Sequence, residues 1–473
     1  MLVTNDPIRS AADLRGRRTL VLGLARSGTA AARMLADAGA AVTAYDRRPA
    51  AELRDAIDSL GGRAIELVTG DAVAEATRQV AAAELIVTSP SVSPDLSTTD
   101  PWLREALVSA RERGIELISE MELFLRLTVA RVLAVTGTKG KTTTTAMLGS
   151  IFAAARVPHA VGGNIGQPLV EQATTLAPTD WAIVELSELQ LPTISRGAEI
   201  AVYTNIAADH LDRHGSLDAY RAVKARLAEL TAPRGMVVLN ADDPGCRDLA
   251  SRLPASAVAW YGVDPGVDRS VTVADGRITV RGRPIMATDD LRLPGRHMLA
   301  NALAAALAAD LAGIALDAVA AGLRGFGGVA HRLELLGEWD EVRWVNDSQA
   351  TIPLAAMEAL DAYAPAPVIL IAGGKDKGLS YDELGDRVAG RCAAAILIGE
   401  TAADLERAIG GRVTVRHAAG MEEAVALAAA LAPPGSVVLL APAAASFDMF
   451  TDYAARGDAF RAAVLGRAAE HRA

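Results

Sequence analysis

The apolar residues of the chain form short runs, and longer stretches of mixed polarity separate these runs. Residues 132–135 (VLAV), 181–184 (WAIV) and 368–372 (VILIA) are entirely apolar, which is typical of parallel strands that are buried on both faces. Helical patterns lie between the runs, for example the one that includes Met34 and Leu35. This alternation of strands and helices predicts an α/β fold with parallel sheets.

The alternation falls into three blocks. At about 150 residues per domain, a chain of 473 residues is expected to form about three domains. We predict a Rossmann-like domain at residues 1–118, a central P-loop ATPase-like domain with a parallel sheet at residues 119–328, and a C-terminal Rossmann-like domain at residues 329–473. Breaks near Ser119 and at residues 325–328 (GFGG) are the predicted hinges.

Composition and charge narrow the classes of partner. The net charge of -10 and the pI near 5.3 argue against nucleic acid as the main partner. Cys246 and Cys392 lie outside any C-x-x-C pattern, so we predict neither a disulfide framework nor a thiolate metal site. No apolar segment resembles a signal sequence or a membrane span. We expect a cytoplasmic protein, and a monomer.

A glycine-rich loop follows the apolar run at residues 132–135. Gly137 and Gly140 interrupt the pattern before Lys141 and Thr142. Glycines let backbone N–H groups close around a phosphate, a lysine adds positive charge, and a hydroxyl reaches Mg²⁺. The spacing is G-x-x-G-K-T, which is shorter than that of the common P-loop. The loop therefore predicts an ATP site.

A second glycine turn, residues 23–28 (GLARSG), follows the first strand. Asp46 ends the next strand, near the position of the ribose-binding acid in a dinucleotide fold. Ala25 replaces the middle glycine of the dinucleotide pattern, and Arg47 follows the acid. These departures favour a different nucleotide diphosphate, although an NAD-dependent dehydrogenase remains an alternative.

Further polar residues follow other predicted strands. Glu185 ends one strand, at the edge where ligands collect in an open parallel sheet, and a carboxylate there can hold Mg²⁺. His210 follows the next strand, and Lys224 lies on a probable helix. No Ser or Cys accompanies His210, so we interpret it as a metal ligand or an orienting group rather than a nucleophile.

Taken together, these motifs resemble those of the Mur ligases, ATP-dependent amino-acid ligases of peptidoglycan precursor synthesis. The resemblance covers nearly the full length. The matching motifs are TGTKGKT (136–142), GGNIG (162–166), ELS (185–187), DHLDR (209–213), YRAVK (220–224), HR (331–332), NDS (346–348) and SFD (446–448).

The resemblance implies a set of roles for particular residues. UDP-substrate binding would involve Gly23, Arg26, Ser27, Asp46, Arg47, Ser89 and Asn164. ATP binding would involve Gly137, Thr138, Lys139, Gly140, Lys141, Thr142, Thr143, Asn301, His331, Arg332 and Asp347. Amino-acid binding would involve Thr351, Lys377, Ser446 and Tyr453. Two Mg²⁺ ions would lie near Thr142, Glu185, His210 and a carbamate on Lys224, and Lys141, His210 and Lys224 would be the catalytic residues.

The implied reaction joins D-glutamate to UDP-N-acetylmuramoyl-L-alanine through an acyl phosphate made with ATP. A ligase that adds L-glutamate or another amino acid is the nearest alternative, and a regulatory or transport ATPase is a more distant one. Some positions depart from the family pattern. Lys139 and Gln349 stand where Asn and Lys are usual, Ser91 stands where glycine is usual, and Glu188-Leu189 and Ile352 also differ.

Overall fold

The structure is a computed structural model that describes residues 8–89, 92–96, 98–207, 216–264, 266, 269–293 and 295–470. The chain forms two compact units. The first consists of Met1–Thr288 and Ala300–Leu323, and the second of Asp289–Leu299 and Arg324–Ala473. The division into three domains stays a prediction.

The first unit begins with a five-stranded parallel sheet in the order β3-β2-β1-β4-β5. Its strands are β1 (Arg18–Leu22), β2 (Ala41–Asp46), β3 (Ile65–Thr69), β4 (Leu85–Thr88) and β5 (Glu116–Ser119). Its helices are α1 (Arg26–Asp37), α2 (Arg54–Ser59), α3 (Val73–Ala82) and α4 (Pro101–Glu112). The strand order reverses between β1 and β4, which is where an open α/β sheet leaves a crevice for a ligand.

A nine-stranded sheet follows in the same unit, in the order β14-β13-β12-β11-β10-β9-β6-β8-β7. Its strands are β6 (Arg131–Thr136), β7 (His159–Gly163), β8 (Trp181–Glu185), β9 (Ile200–Tyr203), β10 (Met236–Asn240), β11 (Val258–Tyr261), β12 (Val271–Ala274), β13 (Arg277–Val280) and β14 (Arg283–Ala287). The helices after β5 are α5 (Glu120–Leu127), α6 (Lys141–Ala154), α7 (Leu217–Thr231), α8 (Pro244–Ala250), α9 (Arg296–Leu311) and α10 (Leu316–Gly325). In this sheet, β12 pairs antiparallel with β13, and β13 pairs antiparallel with β14.

The second unit contains a six-stranded sheet in the order β15-β16-β20-β17-β18-β19. Its strands are β15 (Glu334–Trp339), β16 (Val342–Asn346), β17 (Val368–Gly373), β18 (Cys392–Ile398), β19 (Thr414–His417) and β20 (Val437–Leu440). Its helices are α11 (Pro353–Ala362), α12 (Asp382–Arg391), α13 (Ala402–Ile409), α14 (Met421–Leu431) and α15 (Tyr453–Glu470). All six residues of β17 are buried, because apolar clusters cover both faces of the sheet.

The predicted α/β fold with parallel sheets is confirmed, and two element boundaries were predicted wrongly. The Ala-rich sequence from Asn301 predicts a helix that begins there, but α9 begins at Arg296, directly after Gly295, whose φ is +108°. The apolar pattern predicts a strand from Ile200 to Asn205, but β9 ends at Tyr203, because the backbone carbonyl of Asn205 accepts a hydrogen bond from the loop after β6 instead. Within the described ranges, no helix is long and apolar enough to cross a membrane.

Candidate active site

The loop between β6 and α6 has the geometry of a phosphate-binding loop. Gly140 directly precedes α6 with φ +87°, and Gly137 has φ +144°. A Cβ atom at Gly137 would lie 2.0 Å from Thr204 Oγ1, so both backbone conformation and space require glycine there. The N-terminus of α6 directly follows this loop, and helix N-termini favour the binding of anions.

Two lysine side chains contact this loop. Lys141 Nζ donates hydrogen bonds to Gly137 O (3.0 Å) and Thr138 O (2.9 Å). Lys224 is fully buried on α7, and its Nζ donates to Gly137 O (2.9 Å) and Thr136 Oγ1 (3.4 Å). The two predicted catalytic lysines are thus brought to one carbonyl oxygen, and both lie at the loop that would hold the phosphates.

Glu185 provides an acidic group at the end of β8. Its side chain is 1% exposed, and Oε1 accepts a hydrogen bond from Asn164 Nδ2 (2.8 Å). Oε2 is buried and has no hydrogen-bond partner among the residues that the structure describes. A buried carboxylate oxygen without a partner is costly. A Mg²⁺ ion would satisfy it, and oxygen ligands such as Glu185 and the Thr142 hydroxyl are the type that Mg²⁺ prefers.

The other predicted metal ligands are less well defined. His210 lies outside the described residues. No group of three or more His, Cys, Asp or Glu residues that could hold a metal occurs in the described part of the chain.

Asn301 also reaches the phosphate loop. It lies on α9 and is 7% exposed. A Cβ atom at Gly140 would lie 2.4 Å from Asn301 Oδ1, so the amide packs directly against the Gly140 backbone. The structure therefore brings one predicted ATP residue from a distant helix to the N-terminus of α6.

Four of the predicted UDP residues, Gly23, Arg26, Ser27 and Ser89, lie at the crevice between β1 and β4. Gly23 has φ +91°, and a Cβ atom there would lie 3.3 Å from Ser89 Oγ. A Cβ atom at Gly28 would lie 1.7 Å from Gly23 O, so α1 can approach the turn only because residue 28 is glycine. Arg26 and Ser27 form the first residues of α1, where an anionic diphosphate is favoured.

Asp46 is held by hydrogen bonds at the end of β2. It accepts hydrogen bonds from Leu24 N (2.8 Å) and from the Arg48 backbone and guanidinium. Burial raises the pKa of Asp46, but the bonds from Arg48 and Leu24 outweigh it and hold this pKa below its ordinary value. Arg47 pairs instead with Asp100 (3.4 Å). Arg48, which was not among the predicted site residues, is thus the partner of Asp46.

A contact connects this crevice with the turn that carries Asn164. Arg26 Nη1 donates to Gly166 O (3.2 Å), and Asn164 N donates to Glu185 O (2.9 Å). The turn at residues 164–166 is therefore bonded both to Arg26 and to Glu185.

The second unit holds the other predicted ATP residues near the end of β16. His331 has φ +62°, and its Nδ1 lies 3.2 Å from Asn346 Nδ2. Asp347 Oδ1 accepts a hydrogen bond from Leu333 N (3.0 Å). Burial raises the pKa of Asp347 to about 7, although the Leu333 bond and the charge of Arg332 oppose this increase.

The predicted amino-acid residues lie in the same unit. Lys377 Nζ donates to Thr351 O (3.0 Å), so these two residues are in contact. Ser446 is buried, and the ring of Tyr453 lies 6.2 Å from that of His331.

Sequence reasoning missed Arg456, which is fully buried on α15. Its guanidinium donates to Ser348 O (2.9 Å), Ala444 O (3.1 Å) and Ala445 O (3.0 Å). It thereby fixes the turn after β16 and the loop that leads to Ser446. Its neighbours in sequence gave no signal, because an arginine on an Ala-rich helix usually faces solvent.

Comparisons with known proteins give consistent matches. A model of the Mur ligase middle domain matches residues 135–309, and one of the Mur ligase glutamate ligase domain matches residues 331–444. The UDP-N-acetylmuramoylalanine–D-glutamate ligase of Solibacter usitatus is 40% identical over 455 residues, which cover 96% of this chain and 98% of the relative. The enzyme of the same name from Pelotomaculum thermopropionicum is 39% identical over 468 residues, with 96% and 98% covered.

Among solved structures, UDP-N-acetylmuramate-alanine ligase MurC from Thermotoga maritima is similar, with a TM-score of 0.57 and 20% identity over 96% of this chain and all of that one. At this level of identity, the similarity concerns the fold.

Proposed function

The chain belongs to the Mur ligase family, and from this premise we propose that it joins D-glutamate to UDP-N-acetylmuramoyl-L-alanine at the expense of ATP. This reaction contributes to the synthesis of peptidoglycan precursors. The observation that carries the proposal is the full-length similarity to relatives named for this reaction, at 36–40% identity.

The reaction needs an activated carboxyl group, because a carboxylate is a poor acyl donor. In the first step, the alanyl carboxylate attacks the γ-phosphorus of ATP, so that an acyl phosphate forms and ADP leaves. In the second step, the amine of D-glutamate attacks the acyl carbon, phosphate leaves, and the amine loses a proton. Negative charge gathers at the phosphates in the first step, so positive and hydrogen-bonding groups must be held in place there.

The phosphate loop supplies such groups. The N-terminus of α6 would cradle the β- and γ-phosphates, and Lys141, already held at the loop carbonyls, would neutralise charge as it develops. Two Mg²⁺ ions would shield the phosphates from the approaching carboxylate. Thr142, Glu185, His210 and a carbamate on Lys224 would hold them, and the unpartnered Oε2 of Glu185 supports this assignment.

The remaining residues would bind the substrates in the predicted way. The crevice between β1 and β4 fits a uridine diphosphate, because Gly23 and Gly28 let the backbone approach it closely. Lys377 and the hydroxyl of Ser446 offer a charge and a donor for the two carboxylates of glutamate. We further propose three domains with boundaries near residues 118 and 328, and a cytoplasmic monomer.

Measurement of ADP release with each substrate omitted in turn tests the function. We expect release to require ATP, UDP-N-acetylmuramoyl-L-alanine and D-glutamate together. Release that continues without the amino acid and the sugar nucleotide would indicate an uncoupled ATPase. A nicotinamide-fluorescence titration excludes or supports the dehydrogenase alternative directly.

A further inference from the structure

The two residues that follow β9 run alongside the phosphate loop. The backbone of Asn205 lies close to Gly137, where a Cβ atom would be 3.1 Å from Asn205 O and 3.2 Å from Asn205 N. Asn205 O accepts a hydrogen bond from Thr138 N (2.9 Å). This segment therefore forms one wall of the loop.

The side chain of Asn205 bonds both polar groups of one loop residue. Asn205 Oδ1 accepts from Lys139 N (2.9 Å), and Asn205 Nδ2 donates to Lys139 O (2.9 Å). Thr204 Oγ1 donates to the same carbonyl at 2.6 Å. The main-chain amide and carbonyl of Lys139 are thus fixed by side chains that are distant in sequence.

The segment that provides these bonds is itself anchored. Asn240 Nδ2, at the end of the adjacent β10, donates to Thr204 O (3.0 Å), and Ile206 N donates to Asp243 Oδ1 (3.0 Å). Asp243 also caps α8. The edge of the sheet therefore holds Thr204 and Asn205 at fixed positions relative to the loop.

These bonds occupy two amides of the loop. The amides of Thr138 and Lys139 are both bonded to Asn205, and Gly140 is the next residue of the loop. Gly140 has φ +87° and lacks a side chain, so it limits the loop only weakly. Without the bonds to Lys139, the loop would lose the constraint that sets the direction of the Gly140 and Lys141 amides.

We propose that Asn205, assisted by Thr204, is a positioning residue that holds the phosphate loop in its ATP-binding form. Only the kinetic test of this proposal depends on the proposed function. It concerns the nucleotide step, because the hydrogen bonds of both side chains go to Lys139 of the phosphate loop.

Two substitutions test the proposal. Asn205→Ala removes both side-chain bonds to Lys139, and Thr204→Val removes the third with little change of shape. Thr231→Val is the matched control, because Thr231 is equally buried and its Oγ1 accepts from a backbone amide, that of Ala198, ahead of β9 (3.1 Å).

We expect Asn205→Ala to lower kcat/KM for ATP by about 10- to 100-fold, the usual effect of misplacing a supporting group. Thr204→Val should lower it by about 3- to 10-fold, since one of three bonds is lost. The KM for UDP-N-acetylmuramoyl-L-alanine should change by less than about twofold in both variants, and the control should match the wild type. Hydrogen–deuterium exchange of the peptide that carries Lys139 should be faster in both test variants without nucleotide.

Several results would overturn the proposal. These are wild-type kcat/KM for ATP in both variants, an equal loss in Thr231→Val, an equal rise in KM for the UDP substrate, or unchanged exchange at Lys139. If Asn205→Ala fails to fold, Thr204→Val decides alone. If the wild type shows no ADP release that depends on D-glutamate, the proposed function is wrong. The role of Asn205 can then still be tested by the binding of an ATP analogue and by hydrogen–deuterium exchange at Lys139.

Discussion

At the scale of single residues, Gly137 O is unusual because two ammonium groups donate to it. Lys141 Nζ and Lys224 Nζ lie 3.0 and 2.9 Å from this oxygen. Two ammonium groups next to one oxygen repel each other unless an anion lies nearby. The proposed phosphate next to Lys141, or the proposed carbamate on Lys224, would reduce this repulsion.

Lys141→Ala should abolish ligation, because the loop loses the charge that faces the β- and γ-phosphates. We expect steady-state ADP formation to fall by well over tenfold, which corresponds to more than about 1.4 kcal/mol in the barrier. Lys375→Ala is the control, since Lys375 pairs with Glu400 and has no assigned part in the reaction. Activity of Lys141→Ala within tenfold of the wild type would refute the phosphate-loop assignment.

Lys224→Ala should be nearly inactive, and small carboxylates should restore part of the activity by replacing the carbamate oxygens. The wild type should lose activity in buffer stripped of CO₂ and regain it when bicarbonate is added. Full activity of Lys224→Ala in stripped buffer would show that this lysine only supports the loop through Gly137.

Asp347 makes stability depend on pH. Burial raises the pKa of Asp347 to about 7 from an ordinary 3.8. The hydrogen bond from Leu333 N and the charge of Arg332 lower this pKa, and the charge of Glu358 raises it. Between pH 3.8 and about pH 7, the carboxyl group of Asp347 is ionised in the unfolded chain but still protonated in the folded protein. The free energy of unfolding therefore falls across this window, by about 1.4 kcal/mol per unit of pKa difference, and the loss is complete above pH 7.

Asp347→Asn should reduce this decline, because the amide oxygen still accepts from Leu333 N and carries no charge. Urea denaturation of wild type and variant at about pH 5 and pH 8.5 measures the effect. Burial also raises the pKa of Glu120, in the first unit, to about 7, so Glu120→Gln provides an independent comparison in the same pH window. Parallel pH profiles for wild type and Asp347→Asn would contradict the prediction.

At the scale of elements, the sequence predicted the strands and turns that depend on residues close together in the chain. The central strands were predicted because residues such as those of β17 are buried on both faces and therefore uniformly apolar. The glycines of the two turns were predicted because left-handed backbone and close packing need them. These features depend on residues within a few positions of each other.

Features that depend on distant contacts were not predicted. The sequence pattern assigned Asn205 to a strand. Its bonds to Lys139 were not predicted, because they join segments that are far apart in sequence. Arg456 resembled a surface arginine until the fold placed carbonyl oxygens around it, and Arg47 was assigned to the site although Arg48 is the arginine that bonds Asp46. The start of α9 was missed because the apolar pattern strengthens only after its first turn, whereas Gly295 sets the actual boundary.

Gly137→Ala should impair the β6–α6 element far more than an ordinary glycine substitution. Its φ of +144° and the 2.0 Å approach to Thr204 Oγ1 leave no room for a methyl group. We expect at least a tenfold loss of ATP affinity, measured by calorimetry with a non-hydrolysable analogue. Gly276→Ala is the control, because Gly276 has φ +67° but open space around it, so this substitution introduces backbone strain alone. It should reduce stability by only about 1–2 kcal/mol and leave the ATP affinity normal. Equal behaviour of the two variants would contradict this explanation.

At the scale of the whole molecule, relatives named for D-glutamate match nearly the full length of the chain. Lys377, Thr351 and Ser446 suit a dicarboxylate, but residue types do not determine its handedness. We expect D-glutamate to exceed L-glutamate by well over tenfold in kcat/KM, since a misplaced carboxylate leaves buried polar groups unpaired. Parallel assays with the two enantiomers measure this ratio. A preference for L-glutamate would keep the ligase mechanism and change the substrate.

The bond from Arg26 to Gly166 O has a thermodynamic consequence for the whole reaction. Arg26 belongs to the crevice proposed for UDP, and Gly166 to the turn whose Asn164 holds Glu185. A diphosphate that engages Arg26, as proposed, would change this bond and so alter the free energy of the turn. Linkage would then make the effect reciprocal: with magnesium bound at Glu185 as proposed, the factor by which the sugar nucleotide changes the affinity for magnesium would equal the factor by which magnesium changes the affinity for the sugar nucleotide.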